Sequence, residues 1–208
     1  IHGTGGTISP KILRRLGFQC DTVPAQDIED GAFPTVKSPN PENAEALQMG
    51  VDQAEATGAD IVIGTDPDAD RMGVVVRNKQ GKMTLLTGNQ IGSLMAYYRL
   101  LAFTEKGIIN ENNRDHAVIV KTFVTTELQK AVADHFGVSV VNTLTGFKYI
   151  GGKLRKYESQ IPAELRTNYR QLPDAETRDL RLKHSRFFVF GGEESYGYLG
   201  ADFLRDKD

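Results

Sequence analysis

The sequence predicts an α/β fold with mainly parallel sheets, and three observations carry that expectation. Short apolar runs of strand length alternate with stretches whose apolar residues recur at helical spacing. The two kinds of segment take turns along the chain instead of forming separate blocks. Gly, Pro and capping residues stand at the junctions between them.

Taken in order, Ser9-Pro10 reads as an N-cap followed by Pro at the first helical position. Ile12, Leu13 and Leu16 then share a face, and Gly17 closes that helix. A strand is expected over 18–23, followed by a long loop over 24–39 rich in Asp, Pro and Gly. Asn40-Pro41 repeats the cap signal; Ala44, Leu47, Val51 and Ala54 follow at helical spacing, and Gly58 ends the run. Strands are expected at 60–64, 72–76 and 83–86, the last two joined by a turn over 78–81. Gly88-Asn89 caps a helix whose Ile91, Leu94, Met95 and Tyr98 share a face. Strand 117–120, helix 126–135 and strand 138–141 come next. Over 156–186 the pattern breaks: the stretch is charged, contains Pro162 and Pro173, and reads as a loop or as short helices with a solvated face. Phe187-Phe188-Val189-Phe190 restores a buried strand, and Gly191-Gly192 opens a loop.

The 208 residues suffice for one large domain or two small ones. Lys and Arg number 25 against 27 Asp and Glu, a balance that leaves no electrostatic footprint for nucleic acid or an anionic membrane. No apolar run approaches the roughly 20 residues that span a bilayer. Cys20 is the only cysteine, so no internal disulfide forms and a reducing, cytoplasmic location is the expectation. Ile1-His2-Gly3 lacks a preamble and the chain stops at Asp208 without a closing element, so both ends read as those of an excised piece.

The sharpest chemical feature is Asp66-Pro67-Asp68-Ala69-Asp70-Arg71. Three carboxylates alternate between two apolar strands, and in extended backbone alternating side chains fall on one side. Charges that close repel unless a cation sits among them. Hard oxygen ligands suit Mg²⁺ or Ca²⁺, with Mn²⁺ also compatible. The competing reading is an acidic surface turn. An EF-hand is excluded, because its sixth and twelfth positions would be Arg71 and Arg77 where Gly and Glu are needed. The planar fork of Arg71 suits an anionic, phosphate-bearing substrate.

Other segments are less specific alone. Gly3-Thr4-Gly5-Gly6 fits neither the dinucleotide fingerprint nor a P-loop and reads as a tight turn, with His2 as a core or ligating histidine. Gly191-Gly192-Glu193-Glu194-Ser195-Tyr196-Gly197-Tyr198 can offer carboxylate and hydroxyl groups to sugar hydroxyls, or be an ordinary polar turn. Lys121-Thr122 and Thr145-Gly146-Phe147-Lys148 each follow a predicted strand, where open α/β sheets place ligand sites. Either lysine can meet a phosphate or be a solvated charge.

In this order the motifs resemble the α-D-phosphohexomutase superfamily, which contains phosphoglucomutase and phosphomannomutase. The resemblance rests on Asp66-Pro67-Asp68-Ala69-Asp70-Arg71 and Gly192-Glu193-Glu194-Ser195, with Thr145-Gly146-Phe147-Lys148 and Thr87-Gly88-Asn89 in support. Gly197-Tyr198-Leu199 with Arg205-Asp206-Lys207-Asp208 looks most like bacterial phosphoglucomutases. It implies two small three-layer α/β domains with mixed, mainly parallel sheets, the second and third of four around a cleft. Residues 1–86 would form one and 87–208 the other. Asp66, Asp68 and Asp70 would hold Mg²⁺; Arg71 and Lys121 would act catalytically; Gly192, Glu193, Ser195 and Lys148 would bind substrate.

The implied activity is an intramolecular phosphoryl transfer between hexose 1-phosphate and hexose 6-phosphate, through a phosphoserine and a bisphosphate. Glucose 1-phosphate, glucose 6-phosphate and mannose phosphates are the implied substrates. The phosphoserine and a phosphate-binding loop belong to the family's first and fourth domains, whose motifs do not occur here, so those domains are the implied partners and the piece alone would be inactive. Two departures stand out. The family's Gly-His after the loop serine is Tyr196-Gly197 here, and 156–186 is longer than the usual connection, as for a lid, an oligomer contact or a disordered stretch. A stand-alone sugar-phosphate or metal-binding module, a phosphopentomutase and a phosphoglucosamine mutase are the alternatives. An aspartate-nucleophile phosphatase would need an Asp-x-Asp-x-Thr/Val pattern after the first strand, which does not occur.

Overall fold

The computed structural model describes residues 1–204; the motif residues Arg205-Asp206-Lys207-Asp208 lie outside them. The chain divides into two compact units, Ile1–Gly88 and Asn89–Asp208. No helix among the described residues is long and apolar enough to cross a membrane.

In the first unit, β1 (Ile61–Thr65), β2 (Met72–Arg77) and β3 (Met83–Leu85) form a sheet in that order, and both pairings are antiparallel. The expectation of parallel pairing does not hold for this sheet. Its connections, residues 66–71 and 78–82, are too short for the crossover that parallel strands need. α2 (Ala44–Thr57) packs on β1 and β3. Leu47 and Ala54 meet Val75 and Met83 there, with Val51 and Val62 at the margin. Gly58 ends α2 in the left-handed conformation that only glycine adopts without penalty. Asn40 does not cap α2; its side chain accepts from the Glu42 amide, making a turn one step earlier.

α1 (Gly5–Arg15) begins before the expected Ser-Pro cap and carries Pro10 inside it. The missing Pro10 amide leaves the Gly6 carbonyl without its usual i+4 donor. Of this helix only Gly5 is buried, and Ile8, Ile12 and the following Leu16 are 62%, 51% and 68% exposed. The expected strand 18–23 does not form. Phe18 is 62% exposed, so its β-favouring side chain has no surface to pack against.

The second unit holds a four-stranded sheet in the order β5-β4-β6-β7. β4 (Ala117–Thr122) is central and runs parallel to β5 (Ser139–Thr143) and β6 (Phe187–Gly192). β7 (Tyr198–Leu199) returns antiparallel to β6. The helices α3 (Gly88–Glu105), α4 (Leu128–Phe136), α5 (Phe147–Ser159) and α6 (Asp174–His184) surround it. α5 seats Phe147, Ile150, Leu154 and Tyr157 against Val118, Val120, Phe188 and Leu199. On α3 the expected face holds for Ile91, which is buried, and in part for half-buried Met95, but Leu94 and Tyr98 are exposed and Ala96 and Leu100 are buried in their place.

The charged stretch 156–186 folds as the end of α5, two 3₁₀ turns and α6. Its face is not wholly solvated. Arg181 is 1% exposed, lies 3.0 Å from Asp202 and donates to the hydroxyl of buried Tyr169. A buried guanidinium needs this pairing, since desolvation disfavours the isolated charge.

Candidate functional site

The six residues Asp66 to Arg71 close the β1–β2 hairpin. They are not extended, as alternation suggested. The Ala69 amide donates to the Asp66 carbonyl, and Ala69 takes a left-handed φ of 60°. That conformation costs a non-glycine residue about 1 kcal/mol or more. The turn gathers Asp66, Asp68 and Asp70 so that one ligand atom from each lies within 4.8 Å of the others. Asp66 is buried, Asp70 half-buried and Asp68 exposed.

Burial is the main reason the Asp66 carboxyl is pushed up to about 6; the neighbouring Asp70 and Asp68 push the same way. The Arg71 amide opposes this by donating to Asp66 at 3.0 Å. The Arg71 guanidinium lies 3.7 Å from Asp66, 3.8 Å from Asp70 and 4.0 Å from Glu42. These are ion-pair distances longer than a good charge-assisted hydrogen bond. Three convergent oxygens with a destabilised negative charge are a donor set that a hard divalent cation satisfies.

The Gly-rich segment braces this turn. Thr4 donates to the Pro67 carbonyl through its amide at 2.8 Å and its hydroxyl at 3.2 Å. A Cβ on Gly3 would stand 2.1 Å from that same oxygen, so only glycine permits the approach. His2 is a buried structural histidine: its ring nitrogens lie 3.1 Å from the Ile28 carbonyl and 2.7 Å from the Thr35 hydroxyl.

In the second unit, the loops after β4, β5 and β6 meet at the carboxyl ends of the three parallel strands. Glu193, 7% exposed, accepts from the Gly146 amide at 2.6 Å. Its own amide donates to the Gly197 carbonyl, which closes the loop. Ser195 is half-buried. Gly192 ends β6, in register with Lys121 on one side and Tyr198 on the other. Lys148 is exposed, its ammonium 5.0 Å from the Tyr149 ring centre.

Lys121 is fully buried, and its ammonium donates to the Thr125 carbonyl at 2.9 Å and to Glu127 at 2.8 Å. Asn89 adds a second hold on this loop by accepting from the Thr126 amide. Sequence reasoning missed the contact of Glu194 with the Thr122 and Thr125 hydroxyls, 3.3 and 3.4 Å away. It also missed the roles of Gly3 and Thr4. The signal for the brace was Gly3, a glycine placed just before the helix where the backbone must pass close to another segment.

Comparison with known proteins follows this division. The family profile described as "Phosphoglucomutase/phosphomannomutase, alpha/beta/alpha domain II" matches residues 1–81. That for "alpha/beta/alpha domain III" matches 87–166. Phosphoglucomutase from Staphylococcus haemolyticus is 38% identical over 209 aligned positions, covering 100% of this chain and 32% of that protein. Phosphoglucomutase from Staphylococcus aureus strain MRSA252 is 35% identical with the same coverage. The chain thus spans about a third of the length of the curated relatives it matches. A phosphoglucomutase/phosphomannomutase family protein from Burkholderia thailandensis shares the fold at 18% identity, with a TM-score of 0.66 over 100% of this chain and 35% of that one. Parafusin, a phosphoglucomutase from Paramecium, aligns at 20% identity with a TM-score of 0.55, covering 98% of this chain and 29% of that one.

Proposed function

The chain belongs to the phosphoglucomutase/phosphomannomutase family, and from that premise we propose that it supplies the metal loop and the sugar loop of a phosphohexomutase. The reaction is the interconversion of hexose 1-phosphate and hexose 6-phosphate through a phosphoserine and a bisphosphate. Glucose and mannose phosphates are the substrates, and the phosphoserine and phosphate-binding domains lie outside this chain. The observation that carries the reading is the Asp66, Asp68 and Asp70 cluster, whose three ligand atoms converge within 4.8 Å.

Those three residues hold Mg²⁺ in the proposed enzyme, and the bound ion supplies charge neutralisation for the transferring phosphoryl group. The chain's own residues do the rest. Arg71, beside the cluster, presents a planar fork to a phosphate oxygen. Glu193 and Ser195 accept and share hydrogen bonds with vicinal sugar hydroxyls. The Gly146 amide engages one carboxylate oxygen of Glu193 and fixes its direction, leaving the other for the sugar. Lys148 is exposed in the first turn of α5 and reaches a phosphate. Lys121 is a positioning residue in this reading: its ammonium is bonded within residues 121–127.

The test is a coupled assay of the complete gene product with Mg²⁺ and glucose 1-phosphate. Glu193→Ala is expected to lower kcat/KM about 10- to 100-fold, the loss of one charge-assisted hydrogen bond. Magnesium affinity stays unchanged, and the 208-residue chain alone shows no turnover. A variant with wild-type kcat/KM overturns the assignment of the sugar loop.

A further inference from the structure

Glu193 and Glu194 are consecutive, and their carboxylates turn to different neighbours. Glu193 engages the loop after β5 through Gly146, whereas Glu194 engages the loop after β4 through Thr122 and Thr125. We infer that Glu194 is a positioning residue, a second anchor that holds the sugar loop in register for Ser195 and Glu193. The inference rests on the sugar-loop reading above and adds to it the group that sets the loop's geometry.

Three oxygens form the anchor. The Thr122 and Thr125 hydroxyls lie 2.7 Å apart, and both face the same Glu194 oxygen at 3.3 and 3.4 Å. Two hydroxyl protons serve these three contacts. One runs between the threonines, and the other goes to the carboxylate, which has no proton to give. The threonines are 0% and 2% exposed, so no solvent replaces a lost acceptor. Their own placement is rigid. Thr122 is the last residue of the central strand β4, and the Thr125 carbonyl accepts from buried Lys121. Asn89 holds the next amide, that of Thr126. Glu194 therefore grips a fixed point of the scaffold, next in sequence to both sugar-facing residues.

Without this anchor the loop loses its tie to the loop after β4, while the Glu193 to Gly146 bond still ties it to the loop after β5. That surviving bond uses the same carboxylate that must face the sugar. A displacement on the order of 1 Å at such a position takes the sugar-facing oxygens out of hydrogen-bond range and weakens substrate binding without any loss of the reacting groups.

The experiment compares Glu194→Ala, Glu194→Gln, Thr125→Val and Glu193→Ala in the complete gene product, with Mg²⁺ and glucose 1-phosphate. Glu194→Ala is expected to raise KM about tenfold, with kcat changed less, as misplaced binding groups require. Glu194→Gln keeps an acceptor oxygen and restores KM to within about twofold of wild type. Thr125→Val removes one hydroxyl at nearly constant volume and shifts KM in the same direction, which keeps the test open if Glu194→Ala folds poorly. Wild-type KM in Glu194→Ala and Thr125→Val overturns the inference, as does a Gln variant as impaired as the Ala variant. If Glu193→Ala is also without effect, the sugar-loop reading has failed and this inference with it. If Glu193→Ala is impaired and the Glu194 and Thr125 variants are not, this inference alone has failed.

Discussion

Asp66 is the residue at which the proposed cation site meets proton binding. Its carboxyl titrates near 6, above the ordinary 3.8, chiefly through burial. A raised carboxyl favours the folded state while it is protonated. In the metal-free chain this contribution is complete below about pH 4 and is lost as pH rises through about 6. Thermal midpoints of wild type and Asp66→Asn, measured from pH 4 to 7 without divalent ions, should therefore diverge. The wild type loses midpoint relative to the variant as pH rises. The same titration makes Mg²⁺ compete with a proton, so calorimetric affinity for Mg²⁺ should be higher at pH 7.5 than at pH 5.5. Asp68 is exposed, and Asp68→Asn removes one carboxylate charge from the proposed site without disturbing the fold. A weakening of about tenfold in magnesium affinity is the expected result; unchanged affinity would count against the metal loop.

Among the elements, local signals were legible and distant ones were not. The acidic loop was readable because its three aspartates lie within five positions and its two flanking strands are apolar. Its turn geometry was not, since Ala69 carries no mark of a left-handed φ. The contacts that shape the Glu193 loop join residues 47 and 72 positions apart, and no spacing rule reaches that far. α5 escaped notice because Gly151-Gly152 and its basic residues interrupt an apolar face that Phe147, Ile150 and Leu154 nonetheless build. On α3 the buried side is carried by Ile91, Ala96 and Leu100, and Ala96 is a weak hydrophobic signal beside exposed Leu94 and Tyr98. The brace under the metal loop yields a prediction at this scale. Gly3→Ala forces a Cβ against the Pro67 carbonyl, so the turn must shift. A loss of about 1–3 kcal/mol in stability, read by denaturant unfolding, should accompany weaker Mg²⁺ binding.

Across the whole molecule, the two loops belong to two separately cored units. Phe188 is fully buried in the second core, and Phe188→Ala should cost about 3–5 kcal/mol there. Hydrogen exchange is the readout that separates the cores. Protection is expected to fall in β4 to β6, while the amides of β1 and β2 keep their wild-type protection.

The hairpin that carries the aspartates also has a kinetic meaning. Thr65 and Met72 are partners across a six-residue closure, so this ladder can zip on the microsecond scale of a β-hairpin. The Glu193 loop matures later, because β6 must pair with β4 after α4, β5, α5 and α6 have been synthesised and looped out. A nascent chain that has passed Leu85 but not Phe187 already contains every residue of the acidic turn and none of the Glu193 loop. On the proposed reading, the cation-binding turn would thus be complete in a nascent chain before the Glu193 loop is added as the last strand docks.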